Sequence, residues 1–190
     1  SELLPENTRF AYKSNDVILL AIEQKPTVRS LAFADKRYRL SLPYIVFLPL
    51  FSIYKGELIF KNLYAAYRNE PLRSLNDKLY YANLPNMGYP GHFDYDDNYK
   101  AFYNELLVCL GDLHVPDTSI CHMTKVIMDH FWTGEFTDDL NEMYMKKKDD
   151  HHFKSLKVWE KYSLKDPFFI LKTKWVPACK LNDLIDQILV

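Results

Sequence analysis

The sequence is poor in the residues that punctuate or cross-link a fold: its 190 positions hold five glycines and three cysteines. Cys109, Cys121 and Cys179 form an odd set with no Cys-x-x-Cys spacing. That pattern excludes a disulfide framework and a zinc knuckle, leaving three free thiols. No glycine-rich phosphate loop and no Gly-x-Ser-x-Gly elbow occurs, so nucleotide-binding and serine-hydrolase readings have no foothold. Neither sign of charge dominates. Lys and Arg number 24 against 25 Asp and Glu, a net charge of -1, and this gives no general attraction to nucleic acid or anionic lipid. The longest apolar runs, such as Val17–Ile22 and Ile45–Leu48, are too short to cross a bilayer, and the first residues lack the basic-then-apolar order of a secretory signal. The expectation is a soluble, cytoplasmic protein with no nucleic-acid or membrane partner.

What is abundant is core-forming material. Hydrophobic residues make up 48% of the chain and aromatic residues 15%, which implies one globular domain spanning residues 1–190. Asp16–Gln24, Thr27–Phe33, Tyr38–Leu42, Tyr44–Tyr54 and Leu58–Tyr67 are rich in Val, Ile, Leu and aromatic residues over strand-like lengths. They predict an antiparallel meander whose sheet order follows chain order, with Lys55-Gly56 as a turn. Pro43 and Pro49 cannot donate to a ladder and mark an edge, a bulge or a break.

Arg68–Tyr95 lacks a period and reads as loop. Asn98–Leu107, Thr118–Trp132, Thr137–Lys148, His151–Tyr162 and Leu181–Leu189 read as helical. The second of these has Ile120, Thr124, Ile127 and Phe131 on one face, Asp117 or Thr118 as its cap and Gly134 at its end. Phe168–Leu171 is too short to classify. Strands first and helices afterwards give an α+β domain.

Two short segments carry a resemblance. Leu84-Pro85-Asn86-Met87 follows the meander, and Val108-Cys109-Leu110, then His114-Val115-Pro116 and a helix, follow later. The order resembles the ubiquitin-conjugating (UBC-like) family, in which a sheet is followed by His-Pro-Asn-Ile, Val-Cys-Leu, Trp-x-Pro and a helix. Tyr67–Leu75 is similar to divergent bacterial members, some of which occur beside an activating-enzyme homologue. This sequence departs from the family pattern in three places. Leu84 stands where the histidine is usual, Gly88–Leu107 is an insertion, and the N-terminus lacks the family's first helix.

The resemblance implies a transferase that carries a ubiquitin-like modifier as a thioester on Cys109 and passes it to an amine, with the modifier and an activating enzyme as partners and no cofactor. Sulfur suits this role because a thiolate is both a strong nucleophile and a good leaving group. Asn86 becomes the donor to the developing oxyanion. Asp112, His114 and Asp117 follow the cysteine closely enough to orient or deprotonate an amine, although Asp117 also reads as a helix cap. His92, Asp94, Asp96 and Asp97 lack the glycine and terminal glutamate of a calcium loop, so no metal is expected. The alternative function is a UBC-like binding or scaffold protein that has lost catalysis.

Overall fold

The structure is a computed structural model, described for residues 3–84, 86–87, 105–134 and 153–190. Strands β1 (Thr8–Lys13), β2 (Val17–Gln24), β3 (Thr27–Phe33), β4 (Lys36–Leu42), β5 (Tyr44–Tyr54), β6 (Glu57–Arg68) and β7 (Lys78–Tyr80) come first. Helices α1 (Ile120–Thr133) and α2 (Leu156–Lys165), a 3-10 turn at Phe169–Lys172, strand β8 (Pro177–Lys180) and helix α3 (Leu181–Leu189) follow. The fold is α+β, with an antiparallel sheet and C-terminal helices.

The sheet has the order β1-β2-β5-β6-β7-β8. Chain order is therefore not sheet order, because β3 and β4 leave the sheet as a hairpin of their own. Pro26 and Pro43 bracket that hairpin and cannot extend a ladder across its base. Its turn, Ala34-Asp35, and the β5–β6 turn, Lys55-Gly56, take positive φ at both central positions. That geometry matches the right-handed twist of the strands they join. Pro49 lies inside β5, where the pairing with β2 runs from Leu19↔Leu50 to Ile22↔Phe47 and skips the residues between. The missing N–H of proline accounts for an interruption rather than an edge.

Alternation along the strands divides the apolar residues between two faces. Ile18, Leu20 and Ile22 of β2 join Phe47, Leu63 and Tyr67 under α1, α2 and the β3–β4 hairpin. Leu19 and Ala21 join Leu48, Tyr64 and Ala66 under α3. A strand covered on both sides has no solvent face, which is why Val17–Ile22 reads as one apolar run. In the larger core the Phe131 ring meets Phe47 edge-on at 5.2 Å, and Trp159 Nε1–H donates to the Ser41 carbonyl at 3.1 Å.

Several boundaries differ from the sequence reading. The N-terminal segment forms edge strand β1. Residues 78–80, expected as loop, form β7, whose partner β8 lies a hundred residues away. Helix α1 is capped by Ser119, whose hydroxyl accepts from the His122 amide, and not by Asp117 or Thr118. Helix α2 begins at Leu156 instead of His151, with Ser155 as its cap. Phe169–Lys172 is a single 3-10 turn. The helix expected over Asn98–Leu107 falls outside the described residues as far as Asn104, and its last two residues, Leu106 and Leu107, pair with β6. Thr137–Lys148 falls wholly outside the described residues, as do His92, Asp94, Asp96 and Asp97.

Two buried charges tie the irregular segment 69–77 to the sheet. The Glu23 carboxylate is fully buried, accepts from Arg9 at 2.9 Å through one oxygen and from the Leu72 amide through the other. Arg68 donates to the carbonyls of Glu70 (3.1 Å) and Lys78 and lies 3.5 Å from Asp77. Removing one partner of a buried charge leaves the other unsatisfied. Glu23→Ala is expected to cost ~2–3 kcal/mol and Glu23→Gln, which keeps an acceptor for Leu72, about half of that. Urea unfolding monitored by tryptophan fluorescence reads both, and equal losses would contradict the assigned role of the Leu72 amide.

Candidate active site around Cys109

The segment bearing Cys109 is held as a strip between two neighbours. On one side Val108 N–H donates to Leu63 O at 2.8 Å, and Ala65 N–H donates to Leu106 O at 2.9 Å. On the other side Met87 forms a β-bridge with Val108. Val108 and Leu106 are buried, one on each face of the sheet. Cys109 is the first residue after this pairing ends, and it is exposed.

Asn86 and Cys109 touch twice. Cys109 N–H donates to the Asn86 carbonyl at 2.9 Å, and the Asn86 side-chain amide donates from Nδ2 to the Cys109 carbonyl at 3.2 Å. One of the two N–H groups on Nδ2 is used in this bond. Oδ1 of the same side chain is shielded from solvent and has no hydrogen-bond partner among the described residues. Asn83 is fully buried, and neither of its side-chain amide atoms is hydrogen-bonded among the described residues. Leu84, where the family's histidine is usual, is completely buried in the larger core and supports this turn by packing.

Beyond Cys109 the chain arches and returns to β6. Gly111 takes φ of +62°, a conformation that glycine adopts without steric cost. The arch closes where Leu58 N–H donates to Asp117 Oδ1 at 3.2 Å. The Asp117 carboxylate thus fastens the loop to the start of β6. His114 is exposed, and among the described residues no hydrogen bond joins His114 or Asp117 to Cys109. Between the arch and β6 lies a groove of about 260 Å³, lined by Phe60–Leu63 on one side and by Val108, Leu110, Gly111 and Leu113 on the other. The β5–β6 register changes from Leu50↔Asn62 to Phe51↔Phe60, which makes Lys61 the extra residue of a bulge beside this groove. Bulges re-aim side chains and concentrate near active sites.

His130 was not singled out by the sequence. It lies in the last turn of α1, and its Nε2 is 2.7 Å from the Leu110 carbonyl oxygen. Its only sequence signal is its place three residues after Ile127, at the border of the buried face.

The other two thiols are differently placed. Cys121 donates to the Leu3 carbonyl at 2.9 Å. Burial, with Asp183 adding to it, pushes the Cys179 thiol up to about 12. No cluster of three or more metal-ligating side chains occurs among the described residues, and none of their helices is long and apolar enough to cross a membrane. Comparison of the chain with family models, curated proteins and solved structures returns no match.

At pH 8 a thiol of pKa near 12 is ionised to only about one part in 10⁴. Iodoacetamide is therefore expected to modify Cys109 at least ~100-fold faster than Cys179, whose rate should climb about tenfold per pH unit between pH 8 and 11. Peptide mapping by mass spectrometry checks both, and a native protein whose Cys109 stays unlabelled would contradict the exposure of this sulfur.

Proposed function

We propose that the chain is a divergent, UBC-like conjugating transferase of the cytoplasm that carries a ubiquitin-like modifier on Cys109. The observation that carries this reading is an exposed cysteine whose backbone N–H and C=O are both hydrogen-bonded to Asn86, one to its carbonyl and one to its side-chain amide. The chain order of sheet, cysteine strip and helix supports the reading, while the departure of β3 and β4 from the sheet differs from the meander that the resemblance implies. A buried thiol would favour the scaffold alternative, since a carrier must reach another protein's tail.

In the first step the Cys109 thiolate attacks the thioester carbonyl held by an activating enzyme, so that one C–S bond forms as another breaks. The groove along Phe60–Leu63 offers a berth for an extended tail leading to that carbonyl. In the second step an amine attacks the new thioester. Negative charge collects on the carbonyl oxygen, and the second N–H of Asn86 Nδ2 is the donor proposed for it. Collapse forms the amide bond, the Cys109 thiolate departs, and the amine's proton leaves to solvent or to a nearby base such as exposed His114.

Incubation with modifier, activating enzyme and ATP is expected to give a reductant-sensitive adduct that disappears in Cys109→Ala. Asn86→Ala is expected to load normally but to discharge to free lysine about 10²-fold more slowly, the scale of one lost oxyanion donor. Gel-based single-turnover discharge measures this. No adduct on the wild-type chain, or an adduct that survives Cys109→Ala, removes the proposal.

A further inference from the structure

We infer that His130 is a positioning residue for Cys109, acting through the peptide that follows the sulfur-bearing residue; the inference rests on Cys109 being the acyl carrier. A carbonyl oxygen can only accept, so the 2.7 Å contact with Leu110 O fixes the proton of the imidazole on Nε2. With this tie three backbone groups of Cys109 and Leu110 are held. Cys109 N–H is held by Asn86 O, Cys109 C=O by Asn86 Nδ2, and Leu110 C=O by His130 Nε2. The first two ties come from one side of the strip, and the third comes from the helix. Immediately afterwards the chain reaches exposed Gly111 at positive φ, where the backbone has most freedom.

The histidine is itself well anchored. The next two residues of α1, Phe131 and Trp132, meet Phe47 of the central sheet at 5.2 and 6.0 Å, and Phe131 is 1% exposed. His130 O also accepts the amide of Gly134, which closes the helix. The imidazole therefore transmits the fixed position of the core to the carbonyl one residue beyond the sulfur. An acyl group on Cys109 must be presented to both the Asn86 amide and an incoming amine, and small misplacement of reacting groups is costly. A glutamine at 130 places an amide donor at similar reach, whereas alanine leaves the carbonyl untied.

The test uses the full chain and His130→Ala and His130→Gln variants. The first readout is hydrogen exchange across 109–113, read at the hydrogen-bonded amides of Cys109 and Leu113, which needs no partner. The clamp predicts exchange about tenfold faster in His130→Ala, recovering in His130→Gln, with exchange in the middle of α1 unchanged. The second readout is acyl transfer to lysine after Cys109 is acylated from a benzyl thioester of a glycine-ended peptide. Here His130→Ala is expected to lose about 10- to 100-fold in the transfer rate, with the lysine concentration for half-maximal rate little changed, and His130→Gln to recover most of it. Unaltered 109–113 exchange in His130→Ala overturns the inference. So does loss that spreads over all of α1 and is equal in both variants, which is the signature of a merely structural histidine. A wild-type chain that cannot be acylated removes the transferase reading instead, and the exchange result then decides the clamp alone.

Discussion

The pairing of Leu106–Val108 against β6 is the constraint on which the site depends. Without it Cys109 would sit on a long excursion from the sheet. With it the sulfur emerges one residue past a ladder whose depth is fixed by Leu106 on one face and Val108 on the other. A one-residue slip would take Val108 out of the place it fills in the larger core and Leu106 out of its place in the smaller one, so register is specified by burial. The Asn86 contacts follow from that register, because Met87 bridges Val108 and thereby brings the preceding asparagine beside the following cysteine.

The sheet itself is stabilised from both sides, and this explains the division of labour among the helices. Helices α1 and α2 and the β3–β4 hairpin cover the larger core, while α3 closes the smaller one. The arched loop after Cys109 rests on the larger core through Leu110, Leu113 and Val115. It is held at its ends, by Val108 and by Asp117, and one residue after Cys109 by His130. Such a loop is free to be exposed while its backbone is fixed, a combination suited to a reacting group on a rigid scaffold.

Local features were legible where the chain's own periodicity set them. Thr27–Phe33, Tyr44–Tyr54 and Leu181–Leu189 have the expected bounds, since their apolar spacing and flanking turn residues leave little choice. The departure of the β3–β4 hairpin was not legible, because alternation within a strand says nothing about its neighbour. Strands β7 and β8 have three and four residues, and each acquires meaning only from a partner about a hundred positions distant. Edge strand β1 is mostly exposed and carries too little apolar content to announce itself. At the site, the flanks of Cys109 and the Asn86 turn were readable as short motifs. The His130 contact was not, because it joins residues twenty apart through a backbone carbonyl that any amino acid would supply.

The sheet's two margins have a consequence for behaviour in a crowded solution. The β1 border carries Arg9 and Lys13, and the β8 border begins with a proline and ends with a lysine. A foreign strand arriving at either border would meet charge or an amide that cannot donate. The same chain that exposes Cys109 thus withholds the backbone of its sheet margins, and encounters are steered away from fibril-like stacking.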